Sequence, residues 1–221
     1  MRHASRSCFG SLLLTLMLAV NQFLAQEPSV QQNLDEHVQQ FLNDHESRWR
    51  DMNVPERDGQ FLYDLIIQHH YTRALEIGTS TGHSAIWMAW ALSKTGGRLT
   101  TIEIDEKRHA LALENFRNAG VSAFINARLA DAHDLVREIK GPFDFVFVDA
   151  DKDWNRQYFT DLAPKISVGG CYTTHNISMR HGELRGSVKE YVDFLRSQPD
   201  FETMVESDRS TGIAVSYKRS P

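Results

Sequence analysis

The sequence predicts an α/β fold: a doubly wound, mostly parallel sheet of seven strands that ends in an antiparallel hairpin. Three observations carry that expectation. From residue 74 onward, short β-prone runs alternate with helical stretches, which is the pattern of βαβ units. The last two strand-like runs, 201–206 and 212–218, are separated only by a short turn, so one of them must run antiparallel to the rest. The 221 residues, 41% of them hydrophobic, suffice for one sizeable core and are too few for two ordinary domains.

The elements follow in order. Residues 1–25 hold Arg2, Arg6 and no acid, and their apolar run from Leu12 to Val20 stops at Asn21 and Gln22. They are expected to be a signal peptide cut after Ala25, although Phe23 fits the position three before the cut poorly. The run is short of the roughly 20 residues of a stable membrane span. An exported protein, periplasmic or secreted, is therefore expected, and a misassigned start would make it cytoplasmic. Cys8 would leave with that peptide, so Cys171 remains alone and the fold must rely on its core. Residues 26–52 are expected to be an N-terminal helical segment, because Leu34, Val38, Phe41, Leu42 and Trp49 recur at helical spacing over 34–50. The main domain is read as 53–221. Met52-Asn53-Val54-Pro55 interrupts the first helix, and a second over 59–69 carries Phe61, Leu62, Leu65 and Ile66. Strands are then expected at 74–77, 98–104, 123–129, 143–148 and 170–174, with helices near 84–93, 106–118, 134–139, 155–163 and 187–196 between them. The formal charge of −5 leaves no basic surplus for a phosphate backbone, so no nucleic-acid partner is expected.

A sheet of this kind binds its ligand at the carboxyl ends of the strands, where strand order reverses. The first strand ends in Glu76-Ile77-Gly78-Thr79-Ser80-Thr81-Gly82-His83-Ser84, a glycine turn leading straight into a helix. Such a turn lets backbone approach a ligand and presents free N–H groups. Its spacing is not the Gly-x-Gly-x-x-Gly of dinucleotide enzymes, which counts against a nicotinamide-dependent oxidoreductase. One βα unit later, Glu103 ends the second strand, where an acid can accept both hydroxyls of a ribose. Asp131 follows the third strand. The buried run Phe145-Val146-Phe147-Val148 discharges into Asp149-Ala150-Asp151-Lys152-Asp153, and carboxylates gathered there call for a cation or a catalytic task. Helix capping accounts for Asp153. The tryptophans Trp87, Trp90 and Trp154 read as packing, with Trp154 also close enough to the Asp-Lys run to touch an aromatic acceptor.

At these residues the chain resembles the cation-dependent class I O-methyltransferases, which include catechol and caffeoyl-coenzyme A O-methyltransferases and bacterial relatives. The resemblance runs from Met52 to Lys218. It is carried by Asp58-Gly59-Gln60-Phe61-Leu62, Glu76-Ile77-Gly78 with Gly82-His83-Ser84, Glu103-Ile104-Asp105, Asp149-Ala150-Asp151-Lys152, Gly169-Gly170 and His175-Asn176. Relatives often have the longer acid where Asp58 stands. The resemblance implies the Rossmann-like methyltransferase fold, S-adenosylmethionine as cofactor and a divalent metal cation. It places Val54, Glu76, Gly78 and Ser84 on the methionine side, Glu103 at the ribose, and Asp131 with Ala132 at the adenine. His83 stands where relatives often carry Tyr, which suggests contact with the methionine end. Asp149, counted with the cofactor residues as well, would bind the cation, and Lys152 would take the proton of a small, catechol-like hydroxyl acceptor. Relatives are often homodimers, a state the N-terminal helix could support.

One position departs from the family pattern. Relatives end the strand after Gly-Gly with Asp-Asn, and here the pair is His175-Asn176. Asp149, His175 and Asn176 would give a carboxylate, an imidazole and an amide oxygen, a set that suits manganese, iron, nickel or zinc better than magnesium. Three outcomes compete: a changed metal preference, a lost metal with His175 as general base, or a structural histidine. The segment 176–186 is polar and basic, with Arg180, His181 and Arg185, and lacks the aromatic residue usual there, which favours an anionic acceptor. The competing reading from another class is an exported nucleoside-binding module that has lost catalysis.

Overall fold

A computed structural model describes residues 29–179, 182–206 and 211–221. The expected signal peptide, Cys8, Arg180 and His181 lie outside the described residues. The chain divides into two units, 1–33 and 34–221. Of the first, the described part is Ser29 and the opening turn of helix α1 (Val30–His45).

The second unit alternates strands and helices as the sequence predicts. After α1 come α2 (Glu56–His69), β1 (Arg73–Ile77), α3 (His83–Thr95), β2 (Arg98–Glu103), α4 (Glu106–Asn118) and β3 (Ile125–Leu129). Then follow α5 (Ala132–Glu138), β4 (Phe143–Val148), α6 (Asn155–Leu162), β5 (Ile166–His175), α7 (Gly186–Arg196), β6 (Phe201–Glu206) and β7 (Ile213–Lys218). The seven strands form one sheet in the order β3-β2-β1-β4-β5-β7-β6. The first five are parallel, and β7 runs antiparallel to both neighbours, β5 and β6. Strand order reverses between β1 and β4, so the crevice at their carboxyl ends is the place where this topology admits a ligand.

Burial explains the strand sequences. In β4, Phe145 and Phe147 enter the core layer shared with α2, α3 and α4, while Val146 and Val148 enter the layer shared with α5, α6 and α7. A central parallel strand is covered on both faces, hence its continuous apolar run. Alternation fails at Phe143, where the pairing of β4 with β5 slips register. The amphipathic stripe of α1 places Val38, Phe41 and Leu42 in the first layer. No helix among the described residues is long and apolar enough to cross a membrane.

Several boundaries move. The first helix stops at His45 and gives way to a 3-10 turn (Glu46–Arg48), because His45 folds back to bond the Phe41 carbonyl and stack on its ring. α2 begins three residues earlier than 59, directly after Pro55, whose fixed φ suits a helix start. β3 begins at Ile125 because 122–124 form a 3-10 turn. β5 starts four residues before Gly170 and extends to His175, so that residue leaves the sheet pointing into the protein.

Helices α2 and α3 approach closely at Gly59. A Cβ on Gly59 would lie 2.2 Å from Cδ1 of Trp87. Alanine at 59 would gain about 1 kcal/mol of helix propensity, but overpacking costs about 1–3 kcal/mol. Gly59→Ala is therefore expected to lower stability in urea unfolding followed by circular dichroism. A variant more stable than the parent would show that the contact relaxes freely.

Candidate active site

A cavity of about 280 Å³ opens at the carboxyl ends of β1, β2 and β4, lined by Gly78, Ser80, Glu103, Asp131, Ala132 and Asp149 among others. Gly78 has φ +95°, and a Cβ there would meet the Asp149 carbonyl at 2.4 Å, so only glycine lets this turn lie on the end of β4. A larger cavity of about 460 Å³, lined by Arg73, Arg98 and Lys140, lies at the opposite, amino-terminal edge of the strands. It is remote from the residues that the turn and strand ends bring together.

Glu103 is the most organised acid of the groove. It is 6% exposed, and its Oε2 accepts from Ser80 N at 2.7 Å while Oε1 accepts from Ile104 N and Asp105 N at 3.1 and 2.9 Å. A carboxylate offers about four acceptor positions, so about one remains for a ligand. Ser80 reaches this bond by adopting φ +48° and donating its hydroxyl to the Asp51 carbonyl. Asp131 caps α5, accepting from His133 N at 2.9 Å, and still lines the groove beside Ala132. Met52 and Ile104, 71% and 65% exposed, also line this cavity. Exposed apolar side chains flanking a buried acid make walls suited to a flat, partly apolar ligand. Sequence reasoning missed them because exposure, not residue type, is the signal.

The expected methionine-side residues lie deeper than the resemblance implies. Glu76 is fully buried, with Ser84 Oγ donating to its Oε1 and Thr101 Oγ1 to its Oε2. Burial pushes its carboxyl up to about 7, against the two hydroxyl bonds, with Asp149 and Glu103 adding to the rise. Val54 is 2% exposed, and its carbonyl bonds His83 Nδ1 at 2.8 Å. His83 stacks on Trp49, accepts from Trp87 Nε1, and burial holds it neutral, down at about 4. Val54, Glu76, Ser84 and His83 are thus a packed support behind the groove, and Gly78 is the member of the set that lines it. Trp87 and Trp90 are buried packing residues as expected, and Trp154 packs on His133.

At the other end of the groove, Asp149 joins Lys152 and His175. Lys152 Nζ donates to Oδ1 at 2.6 Å, and His175 Nδ1 donates to Oδ2 at 2.9 Å. The far side of the His175 ring meets Asp58, with Nε2 2.9 Å from Oδ2. Thr211 Oγ1 donates to the same Asp58 oxygen at 2.7 Å and lies 2.6 Å from Nε2. Its single proton is committed to Asp58, so toward Nε2 it can only accept. Burial opposes a charged His175, but Asp149 and Asp58 outweigh it and raise the ring above its ordinary value. Burial likewise opposes a charged Asp149, and His175 and then Lys152 hold it below the usual carboxylate range. Asp151, not Asp153, is the cap here, accepting from Asp153 N because a 3-10 turn (Lys152–Trp154) precedes α6.

This arrangement does not fit the expected metal set of Asp149, His175 and Asn176. Both ring nitrogens of His175 are engaged, Nδ1 by Asp149 and Nε2 by Asp58, so neither is directed at an open position where an ion could sit. Both oxygens of Asp149 are occupied, and Asn176, at φ +63°, is exposed beyond the strand end. Among the described residues no group of three or more His, Cys, Asp or Glu side chains is arranged to hold a metal ion. Asp58 and Thr211 are the partners that sequence reasoning did not assign to the site. Asp58 stood in a quoted motif, while Thr211 carried no signal. The basic character expected near the acceptor is reduced at Arg185, which pairs with Glu183.

Comparison with known proteins places this geometry among relatives. A family model described as O-methyltransferase matches residues 22–210. A catechol O-methyltransferase of Niastella koreensis is 42% identical over 137 residues, 60% of this chain and 61% of that protein. A caffeoyl-CoA O-methyltransferase of Populus kitakamiensis is 35% identical over 173 residues, 74% of this chain and 73% of that protein. The structure of an O-methyltransferase from Bacillus cereus in complex with SAH superposes with a TM-score of 0.67 at 25% identity, covering 93% of this chain and 97% of that one. TomG from Streptomyces achromogenes, in complex with SAM, gives 0.66 at 25% identity over 93% and 96%.

The buried Glu76 gives a test. An acid whose folded value is raised holds a proton that the unfolded chain has lost, so its contribution to stability falls as pH rises between its ordinary value and about 7. Glu76→Gln is expected to flatten the decline in melting temperature from pH 5 to pH 7 relative to the parent. Parallel curves for the two proteins would show that Glu76 titrates normally.

Proposed function

Because this chain belongs to the O-methyltransferase family, we propose that it transfers a methyl group from S-adenosylmethionine to a hydroxyl of a small, catechol-like acceptor. The observation that carries the reading is a groove lined by both Glu103 and Asp149, the second of which holds Lys152. The B. cereus and TomG structures, solved with SAH and SAM, and the N. koreensis catechol enzyme support it. In this reading Glu103 offers its remaining acceptor position to ribose hydroxyls, Ala132 and Asp131 border the adenine, and Met52 and Ile104 cover its faces.

The bound donor supplies an electrophilic methyl group on a sulfonium. The chain must then align the acceptor oxygen and remove its proton. Lys152, 43% exposed in its side chain, is held by Asp149, which lines the groove, and in this reading an acceptor arrives beside it. The Lys152 ammonium first releases a proton to water. The acceptor's hydroxyl proton then passes to the freed amine, the oxygen forms the new bond to carbon as the bond from carbon to sulfur breaks, and the regenerated ammonium stays on Asp149. The 2.6 Å contact between Lys152 and Asp149 is the geometry of that protonated state. No step is assigned to a divalent ion, because the donors around Asp149 do not fit one.

Calorimetry and a catechol panel test the two ends separately. Glu103→Gln is expected to weaken S-adenosylmethionine binding by about tenfold, the loss of one charge-assisted bond. Lys152→Met is expected to leave that binding intact and cut turnover by about a hundredfold or more, as loss of a general base does. Failure of the parent protein to bind S-adenosylmethionine at millimolar concentration would sink the reading. Tight binding without transfer to any catechol would favour a module that has lost catalysis.

A further inference from the structure

Both oxygens of Asp149 are already engaged, Oδ1 by Lys152 and Oδ2 by His175, and the far nitrogen of the same ring faces Asp58. An aspartate at 175 would instead set a third carboxylate beside Asp58 and Asp149, and like charges gathered so closely call for a divalent cation. We infer that His175, clamped between Asp58 and Asp149, takes the place of that cation, so that this chain transfers methyl groups without a divalent metal. The activity part of this inference rests on the transferase reading above, while the binding part stands alone.

The clamp is specific in its chemistry. Asp58 is fully buried on α2, and the ring of His175, 3% exposed at the end of β5, reaches it across the layer. Thr211, just before β7, fixes the orientation by donating to Asp58 and accepting from the ring. The other ring nitrogen holds Asp149 Oδ2, which turns Oδ1 toward Lys152. His175 therefore acts through Asp149 and is a positioning residue. It fixes one carboxylate oxygen, where an ion would have held the same oxygen by coordination.

Manganese is the probe, because it accepts both oxygen and nitrogen donors and its free ion gives a spin-resonance signal that binding quenches. The parent protein, after chelator treatment, is expected to leave the Mn²⁺ signal unchanged up to millimolar protein. It is also expected to keep its turnover within about twofold in the presence of EDTA or of added Mg²⁺. His175→Asp, checked for folding by circular dichroism, is expected to acquire one equivalent of Mn²⁺, a gain that loss of a merely structural side chain would not produce. Stoichiometric Mn²⁺ binding by the parent would overturn the inference, as would activity abolished by EDTA and restored by metal. A folded His175→Asp protein that binds no Mn²⁺ would also overturn it. If the parent transfers no methyl group under any condition, the transferase reading fails, and the Mn²⁺ titration still decides this one.

Discussion

A carboxyl group with no access to water must find its partners inside the protein, and Asp58 meets the imidazole of His175. Leaving a buried polar group without a partner costs about 1–3 kcal/mol. The Asp58–His175–Asp149 line therefore does more than join three side chains. It ties α2 to the end of β5 and the end of β4, with Thr211 bringing in the start of β7. These elements are distant in sequence, and Asp149, which lines the groove, connects their meeting point to it.

The same economy of charge and hydrogen bonds governs the other end of the groove. Glu103 is held by three backbone N–H groups, and the turn that supplies one of them exists because Gly78 and Ser80 take positive φ. Glu76, one layer below, is satisfied by hydroxyls and pushed toward neutrality by burial. Three acids near one sheet edge thus meet three environments: backbone donors at Glu103, hydroxyls at Glu76, and cations at Asp149. Environment, not residue type, separates a ligand-facing acid from a structural one and from one poised beside a lysine.

The departures between expectation and structure have physical causes. Helix and strand identities were legible because alternation and apolar periodicity report burial directly, as in the two-faced run of β4. Boundaries were less so: α1 stops at His45 through a bond to its own Phe41 carbonyl, and β5 runs back to Ile166 through pairing with β4. In the site, Asp149, Lys152 and Glu103 were legible from their places at strand ends. Val54, Ser84 and His83 carried the right motif but sit behind the groove wall, because the side chains they touch, Trp49, Trp87 and Glu76, draw them inward.

What the sequence determined by itself is the set of strand ends, their order along the chain, and therefore which acids reach the carboxyl edge of the sheet. It also put a histidine at position 175, a departure from the pattern that the family resemblance implies. Only the tertiary structure decided what that histidine is for. A residue's partners across 117 and 26 positions of sequence leave no local periodicity to read. Whether an imidazole offers a lone pair or two protons is set by what stands on each side of it, and here a carboxylate stands on both.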